Sequence, residues 1–365
     1  MKKVLFLFDS RATFSYSNNV IKHLNKKKIL IQTIVTGNYL DHKLGVGTEV
    51  FKKNKIKITK KIKFKSPNNK KSSWSSSLGD SIKKYSAELL KLKPDLVVLT
   101  GDRIETLGFC IACSYMNIPI AHIQAGDKSG HVDDLARAAI SKFANIHFAS
   151  CKDSCDRLLS WGENKKNIFN MGAPQLDDIF KTSIKKIKNR NKVLIIFHPV
   201  LSEVSSIDDQ VKNIFNALKK NIKKNIIWIY PNNDFGYSKI INQITKFKEI
   251  KIIKNLDRDK FLVLLSKTKL LIGNSSCGIL EAPSLKIPVI NIGSRQNGRP
   301  IALNIINSNY SEKSISSKIK YALKNSQFKK NILKTKNLYF KKNSGLLIAN
   351  KIFFLIDKVE KFKKY

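Results

Sequence analysis

The chain has 365 residues, of which 42% are apolar and 9% aromatic. That is enough to build real cores and excludes wholesale disorder, while Gly 16 and Pro 9 are too few for collagen-like or low-complexity classes. Basic residues number 68 against 27 acidic ones, a net charge of +41, but only eight of the 68 are Arg. Nucleic-acid readers favour the planar guanidinium fork, and the lysine here is spread over the whole chain. The composition therefore predicts a solvated lysine-rich surface that attracts anionic substrates, not a nucleic-acid partner.

The start MKKVLFLFDS has a short apolar run that stops at Asp9, too short for the core of a signal peptide. No run is long enough for a transmembrane helix. Five cysteines, an odd number, argue against a disulfide framework. A cytoplasmic protein with no membrane insertion is expected. Cys110 and Cys113 form a CxxC inside a predicted helix, and Cys151 and Cys155 open another. Buried or incidental thiols are expected ahead of a four-thiolate zinc site.

Short apolar runs alternate with helical patterns along the chain. Val4–Phe8, Ile29–Thr36, Leu96–Thr100, Ile118–Ile123 and Ile146–Ala149 read as buried strands. Between the second and third of these, Lys55–Lys65 (KIKITKKIKFK) alternates at period two and reads as an exposed strand or hairpin. The polar loop SPNNKKSSWSSS then leads into a helix from about Leu78 to Leu92. A second set of buried strands follows at Val193–Phe197, Ile226–Tyr230, Ile250–Ile253, Leu270–Ile272 and Val289–Ile292. Uninterrupted apolar strands with intervening helices mean parallel sheets covered on both faces. Two such sets predict an α/β fold of two doubly wound, Rossmann-like domains, at 1–180 and 190–345. The polar stretch Phe180–Lys192 is the predicted boundary. The final segment, 346–365, reads as a helix that returns to the first domain.

In such sheets ligands sit beyond the carboxyl ends of the strands, so the residues there are the candidates. The first set ends in Asp9-Ser10-Arg11, Gly101-Asp102-Arg103 and Gln124-Ala125-Gly126-Asp127. The last of these continues through His131 to Asp133-Asp134. The second set ends in His198-Pro199, Pro231-Asn232-Asn233-Asp234 and Gly273-Asn274-Ser275-Ser276-Cys277-Gly278. One half offers carboxylates suited to proton transfer. The other offers His198, hydroxyls and backbone amides suited to holding an anion. GNSSCG reads as a small-residue turn opening a helix, where N–H groups and the dipole favour phosphate. Glu281 on that helix would accept hydrogen bonds from ribose hydroxyls. Each feature has an ordinary structural alternative, as a turn, a cap or a strand end.

Several motifs recur together and in order. The run GDRIETLGFCIACSYMNIPIAHIQAGDKSGHVDDLARAAISKFANIHFAS, then FNMGAPQLDDI, FHPV, YPNNDFG and GNSSCGILEAPSLKIPVINIGSRQNGR, resembles the hydrolysing UDP-N-acetylglucosamine 2-epimerases. The type is that of nonulosonic (sialic-acid-like) acid pathways, and the likeness runs from the first strand to Asn304. It implies a GT-B-like pair of Rossmann domains with a UDP-sugar held in the interdomain cleft, a homodimer, and no metal or other cofactor. It implies elimination of UDP to a glycal, then addition of water to give a free N-acetylmannosamine-type sugar.

Carried over by motif, Asp102, Asp127 and Asp133 are the acid/base carboxylates and Arg137 is their ion-pair partner. His198 and Arg11 lie on the diphosphate side. Ser275, Ser276 and Glu281 contact phosphate and ribose, and Gln124, Asn232, Arg258 and Asn274 complete the substrate set. Many relatives carry Glu where Asp127 stands and His where Ala138 stands, and position 124 varies among them. The substrate implied is therefore either N-acetylglucosamine or a 2,4-diacetamido-6-deoxy sugar on the nucleotide. The alternatives are a non-hydrolysing epimerase, a glycosyltransferase of the same architecture and, from another class, a nucleic-acid-binding protein.

Overall fold

The computed structural model describes residues 1–40, 47–63, 71–130, 133–180, 189–232 and 234–363. The chain divides into two compact units. The first comprises Met1–Lys128, Val132–Asp177 and Tyr339–Tyr365, and the second Ser129–His131 and Asp178–Leu338.

The first unit is built on seven strands: β1 (Lys2–Phe8), β2 (Ile29–Val35), β3 (Lys60–Lys61), β4 (Leu96–Thr100), β5 (Ile120–Ile123), β6 (Ile146–Ala149) and β7 (Ile168–Asn170). Their order is β3-β2-β1-β4-β5-β6-β7, every pairing parallel. Strands β4, β5 and β6 are buried along their whole length, as a sheet covered on both faces requires. One core cluster joins Leu5, Leu7, Val97 and Leu99 of the sheet to Tyr85, Phe109 and Ile140 of the covering helices. Those helices are α1 (Arg11–Leu24), α2 (Glu49–Lys53), α3 (Lys71–Leu92), α4 (Ile104–Tyr115), α5 (Asp133–Phe143) and α6 (Lys152–Ser160).

The second unit repeats the plan with β8 (Lys192–Ile196), β9 (Ile226–Ile229), β10 (Lys251–Ile253), β11 (Thr268–Gly273), β12 (Val289–Ile292) and β13 (Ile305–Ser308). The order β10-β9-β8-β11-β12-β13 is all parallel and is the doubly wound order of dinucleotide-binding folds. In each unit the strand order reverses at one place, between β1 and β4 or between β8 and β11. Loops diverge there and leave a crevice at the carboxyl ends.

One local expectation is resolved and one is corrected. Of the exposed strand or hairpin expected at Lys55–Lys65, the described residues form the strand: the exposed two-residue β3, paired parallel to β2. Phe64 and Lys65 lie outside the described residues. The segment's alternation is real, but an edge beside β2 already offers a parallel partner, so no second strand is needed. Helix α3 starts at Lys71, so SSWSSS is helical, not a loop. Serine is a middling helix former, and tertiary packing overrides it. Ser77 and Ser81 are buried, and Gly108 of α4 lets the two helices approach at Ser81.

The chain returns to the first unit at Tyr339, ahead of the apolar run that begins at Leu346. The helix Ser344–Leu355 then packs on α1. Asp177 caps it, accepting from the backbone N–H of Ser344 (3.1 Å) and of Gly345 (2.8 Å). No helix among the described residues is long and apolar enough to cross a membrane. All five cysteines are free, and burial pushes the Cys110 and Cys113 thiols well up.

Candidate active site

In the first unit the carboxylates meet around one buried guanidinium. Arg137, on the second turn of α5, is 3% exposed. It makes an ion pair with Asp102, which follows β4, and a second with Asp134 at 2.6 Å. Its Nη1 also donates to the backbone carbonyl of Asp127 at 3.0 Å. A buried cation with several oxygen partners is well compensated, whereas one partner alone would leave it costly.

Asp127 is itself buried, and hydroxyls hold its carboxylate. Oδ1 accepts from Ser150 and from Ser154, the latter at 2.7 Å. Arg137 thus pairs with one acid/base candidate by side chain and with the other through its main chain. Asp133 is half-buried and opens α5, where an acid suits the helix dipole. Arg11 opens α1, just beyond β1; its side chain, like His131, lies outside the described residues.

Gln124 directly follows β5 with φ +65°, in the left-handed region that non-glycine residues avoid. It is 5% exposed, and its Nε2 has no hydrogen-bond partner among the described residues. A buried amide donor left unpaired costs about 1–3 kcal/mol. Strain and an unmet donor at one residue are a marker of function.

In the second unit the candidates cluster at the β8/β11 reversal. Asn274, fully buried, pairs with the main chain of His198 at both ends of its amide, as acceptor from His198 N at 2.7 Å and donor to His198 O at 2.8 Å. Asn274 was expected to bind substrate; the structure commits its side chain to holding His198. The backbone N–H of Asn232 donates to His198 Nδ1 at 3.1 Å. Neutral His198 therefore carries its proton on Nε2, as a donor suited to an anionic oxygen.

Ser275 and Ser276 lead into a helix of a single turn, Cys277–Leu280, followed by a 3-10 turn, Ala282–Leu285. Pro283 lacks the N–H that would continue the helix. The helix dipole expected here is correspondingly small. The backbone N–H groups of Ser275 and Ser276 make no hydrogen bond among the described residues. Burial pushes the Cys277 thiol up to about 12, so it is no nucleophile at neutral pH. Glu281 accepts from Arg258 Nη1 at 2.9 Å, and Arg258 Nε lies 3.8 Å from Asp178. Two expected substrate residues, Glu281 and Arg258, are thus partners of one another.

Ser150, Ser154, Asp178 and His122 escaped sequence reasoning. A serine just past a strand (Ser150) or on a helix face (Ser154) carries no local signature, and His122 lies inside an apolar strand. Asp178 was in plain view within APQLDDI, but nothing local distinguishes it from Asp177. Among the described residues no group of His, Cys, Asp or Glu has the makings of a metal site.

An α/β protein of two doubly wound units with a carboxylate–arginine cluster in one and an anion-suited histidine and amides in the other belongs among nucleotide-sugar enzymes. Residues 22–353 match the family described as UDP-N-acetylglucosamine 2-epimerase. The UDP-N,N'-diacetylbacillosamine 2-epimerase (hydrolyzing) of Legionella pneumophila is 33% identical over 344 residues, 90% of this chain and 91% of that protein. The GDP/UDP-N,N'-diacetylbacillosamine 2-epimerase (hydrolyzing) of Campylobacter jejuni is also 33% identical, over 84% of each chain. A solved structure of UDP-GlcNAc 2-epimerase from Neisseria meningitidis bound to UDP-GlcNAc superposes with a TM-score of 0.83 at 21% identity, covering 96% of this chain and all of that one. The chain belongs to the UDP-N-acetylglucosamine 2-epimerase family, and its fold is GT-B-like.

Proposed function

We propose that the protein is a hydrolysing UDP-sugar 2-epimerase, acting on a UDP-linked 2,4-diacetamido-6-deoxy sugar of the N,N'-diacetylbacillosamine type. The observation that carries the chemistry is the cluster in which Arg137 joins Asp102, Asp134 and the Asp127 main chain. The two hydrolysing relatives at 33% identity support the substrate.

In this reading a carboxylate takes the proton from C2 of the sugar. The C1–O bond breaks, UDP leaves with the bonding electron pair, and a C1=C2 glycal forms. Water then adds its hydroxyl to C1 and gives its remaining proton to a carboxylate, while a second, protonated carboxyl delivers a proton to the opposite face of C2. The products are UDP and the free 2-epimer. Asp102, Asp127 and Asp133 are the proton carriers, and Arg137 orients Asp102 through their ion pair. His198, through Nε2–H, and the N–H groups of Ser275 and Ser276 stabilise charge developing on the diphosphate. Arg11 serves the same end. Glu281 receives the ribose hydroxyls with Arg258 orienting it, and Gln124 and Asn232 contact the substrate. No metal or nicotinamide takes part in the steps.

The same reading puts the enzyme in the cytoplasm, where its free thiols persist. Its product feeds nonulosonic acid synthesis. The test is turnover in oxygen-18 water with prompt analysis, before ring opening exchanges the same oxygen. The expected result is the heavy isotope on C1 of a free sugar, with UDP released in equal amount. An equilibrium between two UDP-sugars with no free sugar would establish the non-hydrolysing chemistry instead.

A further inference from the structure

Resting on the epimerase reading above, we infer that His122 and Ser141 are a positioning pair that locks the two backbone turns presenting Asp102 and Asp127. His122 stands on β5 and is fully buried. Its Nε2 lies 2.9 Å from the carbonyl of Gly101, and its Nδ1 lies 3.1 Å from the hydroxyl of Ser141. A carbonyl only accepts, so Nε2 carries the ring proton and Nδ1 accepts from Ser141. The Ser141 oxygen in turn receives the N–H of Gly126 at 3.4 Å. One chain of hydrogen bonds therefore runs from the residue before Asp102 to the residue before Asp127.

Both anchor points need an outside hold. Gly101 has φ +84° and Gly126 has φ +71°, conformations open to glycine and costly for other residues. Glycine is also the residue least restrained by its own side chain, so these turns depend on hydrogen bonds from outside. At Gly126 the relay adds to the Arg157 guanidinium on the carbonyl (2.6 Å) and to the Asp127 N–H on the carbonyl of Gln124 (3.3 Å). A Cβ at Gly126 would collide with the carbonyl oxygen of Ser154, so the turn cannot be stiffened by substitution. Ser141 lies one helical turn beyond Arg137, on the same face of α5. Arg137 holds the Asp102 carboxylate and the Asp127 carbonyl. Successive turns of one helix thus grip the same two loops, one by charge and one through the neutral relay. A core histidine needs only to have its two nitrogens satisfied by any neighbours. Here one nitrogen meets the first loop directly, and the other reaches the second through one hydroxyl. Neither residue touches the reacting atoms in this account; each acts through the geometry of Asp102 and Asp127.

Three variants test this with UDP-N,N'-diacetylbacillosamine and its C2-deuterated form. His122→Leu and Ser141→Ala each remove the relay, and His122→Gln returns a donor near the Nε2 position. The expected result is a fall in kcat of about 10- to 100-fold for the first two, the scale of an ångström of misplacement. KM should stay within about threefold, and the primary isotope effect at C2 should rise as proton transfer becomes rate-limiting. His122→Gln should recover most of the rate. Ser141→Ala loses a single hydroxyl and keeps the test alive if His122→Leu fails to fold. Folded variants with the parental kcat would overturn the inference. So would a loss in proportion to unfolded protein with an unchanged isotope effect. If the parent protein itself releases no UDP from this substrate or from UDP-N-acetylglucosamine, the epimerase reading fails and not the relay.

Discussion

Asn274 grips the main chain of His198 with both ends of its amide, at 2.7 and 2.8 Å, across the reversal between β8 and β11. Each partner is buried, so each lost hydrogen bond leaves a polar group without water. Asn274→Ala should therefore cost about 2–6 kcal/mol, from two groups at about 1–3 kcal/mol each. Urea unfolding reads the loss. The variant that does fold should release UDP at least about tenfold more slowly, because His198 is no longer aimed. Parental stability would show that the clamp carries no weight.

Arg137 should tolerate no replacement. Arg137→Met leaves Asp102 and Asp134 facing a site without its cation, a change of about 3–5 kcal/mol for a buried pair. Arg137→Lys keeps the charge but gives up the fork that serves Asp102, Asp134 and the Asp127 carbonyl together. Its stability should lie between the two, with UDP release still slowed. Asp102→Asn, by contrast, keeps shape and removes the titrating group. Turnover should fall by at least about 100-fold while UDP binds as before. Activity within a few-fold of the parent would remove Asp102 from the mechanism.

Glu281 and Arg258 should prove coupled in UDP binding. Glu281→Ala and Arg258→Ala should each weaken UDP affinity measured by calorimetry, by about tenfold. The double variant should lose less than the sum, as for any two residues in direct contact. Additive losses would mean that each meets the nucleotide independently. Arg258→Ala should also lower stability, because Asp178 and Glu281 are both buried.

Acid should destabilise the fold in two overlapping windows. Burial brings the His122 imidazole down to about 3, against an ordinary value of 6.5, despite its hydrogen bond to Gly101. A base held neutral in the fold contributes stability that is fully present above 6.5 and is lost as pH falls towards 3. The slope approaches about 1.4 kcal/mol per pH unit. His147 is lowered for the same reason, burial, and adds to the same window.

The second window belongs to Glu163. Burial alone would raise it, but hydrogen bonds from His147 and Lys363 outweigh that and bring it down to about 2. Its contribution is present above about 4.5 and is lost as pH falls through 2. Urea midpoints should decline from pH 6.5 downwards, and His122→Gln should flatten the upper part of that decline. An unchanged pH dependence in that variant would show that His122 is not held neutral.

The sequence by itself determined the α/β class, the two parallel sheets and the position of nearly every long strand. Unbroken runs such as Leu96–Thr100 and Val193–Phe197 leave no polar face for solvent, and only a doubly covered sheet accepts them. It also determined the family and the residues beyond each strand, because those turns carry unusual local chemistry. Edge strands β7 and β13 escaped because they are only partly buried and end in polar residues, so they show no unbroken apolar run. What only the tertiary structure decided is which side chains spend themselves on one another. Asn274 reads as a ligand contact in sequence; only the fold shows that its amide also grips the main chain of His198, far away along the chain. Glu281 and Arg258 become a pair only when β11 and its neighbouring helix pack. Ser141 and Ser154 are ordinary serines until the fold places one under His122 and the other against Asp127. Strand patterns follow from local periodicity, but a hydrogen bond between residues distant in sequence depends on the register of packed elements, and no local pattern encodes that register.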